Sequence, residues 1–422
     1  MTKGLKIRLD VYNILLSIHK FNKKLNDSSI QKIIKKHKLE NISFINNVVL
    51  NSMRYQFHCR KIIKKYIKKK LKEREIILLV SAITQIVFLN FKEYAVVNCT
   101  VEISKKLNIY HGLVNAFLKN VSKEKDKLNK IQIEYSDLPL WFRDNTKDLN
   151  KGIQNKILEN FYKKPNVHVV FKDEGKLESF EEYIVKTSNT SGFINKKIKL
   201  ENIKSYHKGE WWIQDFSSFF PLKNFNFPKK NKKFLDICAA PGGKAFQVLS
   251  KGLEITLNDK SKKRLETLKS NLNRLKFKAT ILNYEAQKFD LKQKYDFIIV
   301  DSPCSSVGTI RKNPEIFFKK DEPDLKKLIN TQKKILIKAS ELLNDNGIIL
   351  YMVCSFLHAE TINQIENFLS AKKNFKLAKF KVSKEKIIYS NIVKGNIMRI
   401  VPGTILNRTI DGYFAVYLEK IK

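Results

Sequence analysis

Apolar residues repeat at helical spacing through the first 130 residues of the chain. Val11, Ile14, Leu15 and Ile18 recur at intervals of three and four, which places them on one face of a helix. Glycine is rare in this stretch, and the periodicity predicts further helices at 42–70, 74–91, 94–107 and 111–125. The pattern predicts a compact all-α bundle.

The pattern changes after residue 130. Residues 131–145 are typical of a linker anchored by aromatic side chains, and a helix at 153–162 precedes short strands at 167–171 and 182–186. This mixture predicts a small α+β domain over residues 131–230.

Strand and helix patterns alternate from residue 231 to residue 422. The predicted strands are 233–238, 253–259, 278–283, 295–301 and 347–354, and the predicted helices are 244–251, 261–275, 325–343 and 359–370. Such alternation predicts a mostly parallel, Rossmann-like sheet covered on both faces. Residues 398–402 and 412–418 are expected to close the sheet as a terminal pair. The chain is therefore predicted to be multidomain: all-α (1–130), α+β (131–230) and α/β (231–422).

Two predicted strands end at residues that can carry chemistry. Asp301 and Cys304 follow the strand at 295–301, and Cys354 ends the strand at 347–354. Open α/β sheets bind ligands at the carboxyl ends of their strands. The two cysteines are therefore a redox pair or two halves of one site, although free cysteine is also a common core residue.

A third strand leads into a turn of small residues, Asp236-Ile-Cys-Ala-Ala-Pro-Gly-Gly-Lys244. Small residues allow a ligand to approach the backbone closely. The spacing matches neither the GxGxxG motif nor the phosphate-binding P-loop. The next strand ends at Asp259, where Rossmann-type sheets place an acid that binds ribose hydroxyls.

Charge narrows the choice of partner. The 422 residues carry a formal net charge of +40, which favours a nucleic-acid partner even though part of the lysine excess is compatible with compositional bias. Lys61, Lys64, Lys65, Lys68 and Lys72 are predicted to share one helical face. Such a stripe is most often a solvated surface, and the functional alternative is a contact with the RNA backbone.

The five cysteines, at positions 59, 99, 238, 304 and 354, show no C-x-x-C spacing. A metal site is therefore not expected, and the sparse thiols suit a reducing cytoplasm. No secretion signal is evident, and the longest apolar run, 76–89, is too short to span a bilayer. We expect a cytoplasmic protein that does not bind membranes.

Three segments resemble the motifs of one enzyme family. DICAAPGGK at 236–244, DSPCSSVGTIRKNPE at 301–315 and YMVCS at 351–355 resemble motifs I, IV and VI of the RNA (cytosine-5) methyltransferases of the NOL1/NOP2/Sun group. They occur in the family's order and spacing. The resemblance implies S-adenosyl-L-methionine as cofactor.

The N-terminal half resembles a second family. Residues 90–106 (NFKEYAVVNCTVEISKK) and 112–118 are similar to the NusB-type RNA-binding helical domain. A NusB-like domain joined to a Sun-type methyltransferase is the arrangement of bacterial enzymes that methylate 16S ribosomal RNA. The resemblance implies 16S ribosomal RNA as the partner. We also expect the protein to be a monomer.

Chemistry alone does not decide which thiol attacks the base. Adding a thiolate to C6 of cytosine activates C5 as a nucleophile, and DNA cytosine-5 enzymes use a Pro-Cys cysteine, which corresponds to Cys304. The RNA family instead implies Cys354 as nucleophile, with Cys304 assisting product release. Asp301 is expected to contact cytosine N3 and to stabilise developing charge. Arg311 is a candidate phosphate contact.

The resemblance also implies a set of cofactor-binding residues. Lys244 either acts electrostatically near the site or merely begins a helix. Asn283 stands where relatives usually carry a further acid, and it is expected to accept a hydrogen bond from the adenine amine. The implied set is Ala239, Ala240, Pro241, Gly242, Gly243, Lys244, Asp259, Asn283 and Asp301.

Two other functions remain open. The chain could be an RNA-binding assembly or antitermination factor whose methyltransferase fold has lost its activity, although the presence of both Cys304 and Cys354 argues against this. A transfer-RNA enzyme of the same group differs only in substrate, and the NusB-like half disfavours it.

Overall fold

The computed structural model describes residues 2–178, 180–196, 203–223, 225–227, 232–289, 292–380 and 392–421. The chain divides into two compact units. The helical unit comprises Met1–Tyr162 together with Ile310–Pro323, and the α/β unit comprises Lys163–Thr309 and Asp324–Lys422. Residues 131–162 thus group with the helical unit. The predicted boundary after residue 230 falls beside residues outside the described ranges, so the three-domain division stays a prediction.

The helical unit buries the apolar face that the sequence predicts: Val11, Ile14, Leu15 and Ile18 are all fully buried. A π-helical turn at Thr84–Phe88 extends the fifth helix. The helices are α1 (Lys3–Phe21), α2 (Ser28–Ile34), α3 (Leu39–Arg54), α4 (Gln56–Tyr66), α5 (Glu73–Ile83), α6 (Glu93–Lys106), α7 (His111–Lys123), α8 (Lys125–Leu128), α9 (Leu140–Asp144) and α10 (Lys151–Phe161).

The helix predicted at 42–70 is two helices that meet at Tyr55. Since α4 ends at Tyr66, Lys68 and Lys72 do not lie on its face. Lys61 forms an ion pair with Asp137 at 2.7 Å and Lys65 pairs with Glu124 at 2.8 Å. The predicted continuous lysine stripe on one helix was therefore wrong, and the chain uses two of its charges internally.

The segment Ile310–Pro323 packs within the helical unit and contains the short helix α16 (Glu315–Phe318). Phe317 stacks against Phe161 and meets the edge of Phe142. The buried Arg54 donates from Nη2 to the carbonyl oxygen of Arg311 at 3.0 Å. Phe318 belongs to the same apolar core as α1 and α3. We call this the returning segment.

The α/β unit contains a small antiparallel sheet in the order β2-β3-β1-β4. Its strands are β1 (His168–Phe171), β2 (Ile184–Ser188), β3 (Ser191–Ile194) and β4 (Trp211–Ile213), and the accompanying helices are α11 (Glu174–Glu178), α12 (Lys204–His207) and α13 (Phe216–Lys223).

The large sheet of the same unit has the order β11-β12-β15-β9-β8-β5-β6-β7, with β10 also paired to β15. Its strands are β5 (Phe234–Asp236), β6 (Ile255–Asn258), β7 (Thr280–Leu282), β8 (Tyr295–Asp301), β9 (Leu343–Val353), β10 (Phe375–Ala378), β11 (Val393–Lys394), β12 (Ile397–Ile400) and β15 (Tyr413–Lys420); β13 (Gly403–Ile405) and β14 (Arg408–Ile410) form a separate hairpin. The helices are α14 (Gly243–Leu249), α15 (Lys262–Leu275), α17 (Leu325–Leu342) and α18 (Ile362–Ala371).

The predicted parallel strands and the predicted antiparallel terminal pair are both present, but the sheet is mixed rather than mostly parallel, because β9–β15, β10–β15, β12–β15 and β11–β12 all pair antiparallel. Strands β7, β6, β5, β8 and β9 pair in parallel, and β12 pairs antiparallel with β15. Alternate residues of β8 enter different apolar cores: Phe297 and Ile299 pack on one face, and Ile298 and Val300 pack on the other. Both faces are covered, so the reactive residues are left to the strand ends.

Two kinds of feature are absent from the described part of the chain. It holds no group of three or more His, Cys, Asp or Glu side chains arranged to bind a metal ion. It also has no helix whose length and hydropathy would suit a membrane span.

Candidate active site

The site lies at the carboxyl ends of three neighbouring parallel strands, β5, β8 and β9. Their register aligns Asp301 with Met352, two residues before Cys354. Backbone hydrogen bonds join the loops after β8 and β9, from Ser302 N to Met352 O and from Gly308 N to Cys354 O, each at 3.1 Å. The loops that carry the two cysteines are therefore bonded side by side.

The two sulfur atoms converge. Cys304 Sγ lies 3.3 Å from Cys354 Sγ, as the interpretation of two halves of one site expects. Ser306 Oγ lies 3.4 Å from Cys354 Sγ. Ser306 has a φ of 61° in the left-handed region, which is uncommon for a residue with a side chain and bends the loop towards the second cysteine.

The surroundings of the two thiols shift their pKa values in opposite directions. The hydrogen bond with Cys304 lowers the pKa of Cys354, and Ser306 and Lys244 lower it further against the opposing effects of burial and Asp301. The same hydrogen bond, together with burial, raises the pKa of Cys304 well above its usual value. Because the thiolate is the nucleophilic form of cysteine, the hydrogen bond between the sulfurs lets the pair hold one thiolate, and the assignment of Cys354 as the attacking group stays a prediction.

Asp301 stands beside the sulfur pair with two hydrogen-bond donors. Lys244 Nζ donates to Asp301 Oδ2 at 2.6 Å, and Tyr413 Oη donates to Asp301 Oδ1 at 3.1 Å. Burial disfavours the charged ammonium, but Asp301 outweighs burial and raises the pKa of Lys244. Lys244 therefore pairs with the acid as well as beginning a helix.

Tyr413 reaches Asp301 because two backbones approach closely. Gly412 N donates to Gly308 O at 2.8 Å, and a Cβ at Gly308 would lie 2.0 Å from Gly412 O. Only glycine allows this approach, which places the residue after Gly412 next to the acid.

The predicted cofactor residues from Ala239 to Lys244 form a turn that reaches Asp301 through Lys244. Ala239 N donates to Asn258 O at 2.7 Å. Gly242 has a φ of 113°, and a Cβ there would lie 2.1 Å from the ring of Phe246. The turn from Ala239 to Lys244 therefore needs its glycine at 242 and exposes backbone groups at the strand ends.

A cavity adjoins this turn. Apolar side chains, one acid, the basic Lys260 and Arg264, and three neutral polar side chains line this small cavity, and Asp259 is the acid at the position where Rossmann-type sheets bind ribose hydroxyls. Asp259 is almost completely buried, accepts a hydrogen bond from Ser261 N through Oδ1, and lies 3.0 Å from Arg264 Nη1 through Oδ2. The lining residues include Ile237, Cys238, Asp259, Arg264, Ala286 and Ile335.

Asp236 gives a second indication that the edge is built for a polar ligand. Its Oδ2 is buried without a hydrogen bond among the described residues. Burial raises the pKa of Asp236 to about 7 against the opposing effect of Lys244. A buried carboxyl oxygen of this kind usually has a partner, so Asp236 Oδ2 is a group at the strand ends that a polar ligand could satisfy.

Two predicted positions lie apart from the cavity and the cysteines. Asn283 is exposed, and its amide donates to Asp259 O at 2.7 Å, so it braces the neighbouring acid, and its adenine contact stays a prediction. Arg311 is 1% exposed and lies in the returning segment, and its contact with phosphate or substrate stays a prediction.

The sequence did not point to Ser306, Tyr413 or Glu360. Ser306 follows a cysteine in a serine pair that resembles an ordinary turn. Tyr413 stands in an Asp-Gly-Tyr-Phe stretch at the start of a predicted strand, and its hydroxyl was the available signal. Glu360 is an isolated acid near the start of a helix, a position typical of a surface residue.

Known proteins resemble both parts of the chain. Residues 225–419 match the family of the 16S rRNA methyltransferase RsmB/F, and residues 6–123 match the NusB family. The RsmB/F region includes the strands that carry both cysteines, and the NusB-family region is the core of the helical unit.

Similar proteins extend over most of the chain. The ribosomal RNA small subunit methyltransferase B of Shewanella oneidensis is 27% identical over 71% of this chain and 74% of its own length. A probable ribosomal RNA small subunit methyltransferase B of Coxiella burnetii is 27% identical over 81% of this chain and 86% of its own length.

Two crystal structures share the fold. PH0851 superposes with a TM-score of 0.72 at 20% identity and covers 100% of this chain and 99% of its own. NSun6 from Pyrococcus horikoshii with SFG has a TM-score of 0.57 at 18% identity and covers 67% of this chain and 98% of its own. At these identities the likeness establishes the architecture of the RsmB/F region.

Proposed function

We propose that this protein methylates C5 of cytosine in small-subunit (16S) ribosomal RNA and uses S-adenosyl-L-methionine as methyl donor. The observation that carries the proposal is the 3.3 Å separation of Cys304 Sγ and Cys354 Sγ beside Asp301 and Lys244. Relatives named ribosomal RNA small subunit methyltransferase B support ribosomal RNA as the substrate class.

Cys354 starts the proposed reaction. Its thiolate attacks C6 of cytosine and forms a C–S bond, which makes C5 nucleophilic. Asp301 delivers a proton to N3 of the ring as the C6–S bond forms, which neutralises the negative charge that develops there. Lys244 and Tyr413 contact the two oxygens of the Asp301 carboxyl group and fix its position. S-adenosyl-L-methionine, when bound, supplies the methyl group that C5 takes up.

Cys304 serves the second half of the reaction. After methylation, C5 must lose its proton to a base, and the C6–S bond then breaks so that its electron pair returns to sulfur. Cys304 is the side chain closest to the Cys354 sulfur, which supports its assignment to product release.

The cofactor is proposed to bind along the turn Ala239, Ala240, Pro241, Gly242, Gly243 and Lys244. Asp259 would accept the ribose hydroxyls, which requires Arg264 to share or leave the carboxylate that it contacts in this structure. The monomeric state and the cytoplasmic location stay predictions.

The test is a methyl-transfer assay. The protein is incubated with tritiated S-adenosyl-L-methionine and small-subunit RNA from cells that lack it, and the digested nucleosides are separated. Label in 5-methylcytidine is the expected result. Binding of the RNA without label would favour the inactive assembly factor, and preferential labelling of transfer RNA would favour the transfer-RNA enzyme.

A further inference from the structure

Glu360 is a buried carboxylate in the short helix that follows the Cys354 loop. Its side chain is fully buried. Oε1 accepts hydrogen bonds from Ser305 N at 2.8 Å and from Gln332 Nε2 at 3.0 Å, and Oε2 accepts one from Ser305 Oγ at 2.5 Å. These donors are neutral. Removing a carboxylate from water is costly unless its oxygens are well satisfied, and this arrangement satisfies both.

The donors that Glu360 binds flank Cys304. Ser305 is the next residue in the chain, and Gln332 Nε2 also donates to Pro303 O at 3.0 Å, on the other side of the cysteine. Gln332 is itself held by Gln364 Nε2, which donates to its Oε1 at 3.0 Å. The Cys304 loop is thus attached at two points to one buried carboxylate and its partner amide.

The same network reaches the second cysteine. Ser305 Oγ lies 3.4 Å from Ser355 Oγ, and Ser355 follows Cys354 directly. Tyr351 Oη donates to Glu360 O at 2.9 Å, which fixes the carboxylate-bearing helix to β9, the strand that ends beside Cys354. Ser305 and Ser355, the residues that follow the two cysteines, therefore both belong to the hydrogen-bonded network of the Glu360 carboxylate.

We propose that Glu360 is a positioning residue that sets the separation of the Cys304 and Cys354 sulfurs by holding both cysteine loops in one hydrogen-bonded network. The proposal deepens the proposed function and rests on it for the use made of the two thiols. Glu360 acts through Ser305, Gln332 and Ser355 and does not itself contact the substrate.

Glutamine and alanine at position 360 separate position from charge. In Glu360→Gln the amide oxygen can accept from Ser305 N and Gln332 Nε2. Its NH2 can donate to Ser305 Oγ, whose proton then turns towards Ser355. The network survives without the negative charge. In Glu360→Ala all three donors lose the carboxylate; Gln332 Nε2 keeps Pro303 O and Ser305 Oγ keeps Ser355 Oγ, so the link between the two cysteine loops and Glu360 is broken.

The principal measurement is the pH dependence of Cys354 alkylation by iodoacetamide, followed by peptide mass spectrometry. It needs neither RNA nor methyl donor. The hydrogen bond with Cys304 lowers the pKa of Cys354, so a displaced Cys304 loop should raise the alkylation midpoint. We expect Glu360→Ala to shift it upward by about one pH unit and Glu360→Gln to leave it near the wild-type value. Ser305→Ala, which keeps the backbone donor, should give a smaller upward shift.

Turnover provides the second readout. Glu360→Ala should lower kcat about 100-fold and leave KM for S-adenosyl-L-methionine unchanged, since the network does not include Asp259. Gln247→Ala is the matched control, because Gln247 is a buried, hydrogen-bonded polar residue of the same unit. It should leave the alkylation midpoint unchanged.

Two results overturn the proposal. One is an unchanged Cys354 midpoint in folded Glu360→Ala protein. The other is a Glu360→Gln variant as impaired as Glu360→Ala, because that would make the charge and not the position decisive. If Glu360→Ala does not fold, Glu360→Gln and Ser305→Ala decide by the same criteria. Failure of the wild-type protein to label cytosine would instead refute the proposed function and leave the alkylation result interpretable.

Discussion

Burial has opposite consequences for two sets of ionisable side chains in this protein, one in the helical unit and one around Cys354 in the α/β unit. In the helical unit, burial raises the pKa of Cys59 to about 12 and lowers the pKa of His58 to about 4, so both side chains are neutral near pH 7. In the α/β unit, the pKa of Cys354 is lowered and that of Lys244 is raised. Those shifts favour the charged forms.

The difference lies in the neighbours rather than in the depth of burial. For Cys59 burial outweighs the Thr84 hydroxyl at 3.5 Å and the charge of Arg60, which both lower the pKa, whereas for Cys354 the hydrogen bond with a second thiol outweighs burial, aided by a serine hydroxyl and a lysine. Burial alone favours the neutral form, and a hydrogen-bond donor or opposite charge reverses that preference. The same residue type is therefore packing in one unit and a candidate nucleophile in the other.

The sharpest contrast is between two cysteine substitutions. Cys354→Ala should lower methyl transfer by on the order of 10⁴-fold or more, because it removes the proposed nucleophile. Cys59→Ala, the matched change in the helical unit, should keep wild-type kcat and lose only stability. Labelled 5-methylcytidine formed per minute is the measurement, and comparable activity in the two variants would remove the distinction between the units.

Cys304→Ala should slow turnover by roughly 100-fold and accumulate an RNA–protein adduct that resists denaturation, because release loses its assisting group. Gel electrophoresis in denaturant measures the adduct. Cys304→Ala/Cys354→Ala should form none. An adduct that appears in Cys354→Ala instead would reverse the roles of the two thiols.

Asp236 in the α/β unit, like Cys304 in the same unit, has a raised pKa: burial raises the pKa of Asp236 to about 7. Between about pH 4 and pH 7 the unfolded chain releases this proton while the folded protein keeps it, so the wild-type protein loses stability as pH rises through that window. Asp236→Asn should be more stable at pH 7.5 by on the order of 2 kcal/mol.

Denaturant unfolding at several pH values measures the difference. The advantage of Asp236→Asn should disappear below about pH 4, where Asp236 is protonated in both states. A constant difference across the whole range would show that the carboxyl group does not titrate as its burial implies.

The smallest effect is expected at Tyr413. Tyr413→Phe removes one hydrogen bond to Asp301 and leaves the ring, and a bond to a charged group contributes about 1.5 kcal/mol, or roughly tenfold in rate. kcat should fall by about that factor, and binding of S-adenosyl-L-methionine should not change. Tyr12→Phe in the helical unit is the matched control. Equal rates for wild type and Tyr413→Phe would show that Lys244 alone suffices to hold the acid.

Much of the fold follows from local patterns. The strands of the α/β unit are short apolar runs that end at small or acidic residues, and their alternation with helices fixes a parallel sheet. That rule alone brings Asp301 and Cys354 to one edge, since their strands are neighbours. The helix break at Tyr55 escaped prediction because the apolar pattern continues through it without glycine or proline.

The support around the thiols could not be read from the sequence in the same way. Tyr413 contacts Asp301 across 112 positions, and Glu360 contacts Ser305 across 55. Contacts of this kind depend on loop conformation, including the left-handed backbone of Ser306 and the close approach at Gly308. Periodicity and motif spacing carry no information about them.

The returning segment limits how this protein can be dissected. A fragment that starts at Lys163 would keep residues 310–323 but lose the side chains that cover Phe317 and Phe318. The resulting apolar loop would begin six residues after Cys304 and would promote aggregation of the fragment. Workers who want the smaller catalytic piece should therefore shorten that loop to a polar linker, or co-produce residues 1–162 as a separate polypeptide.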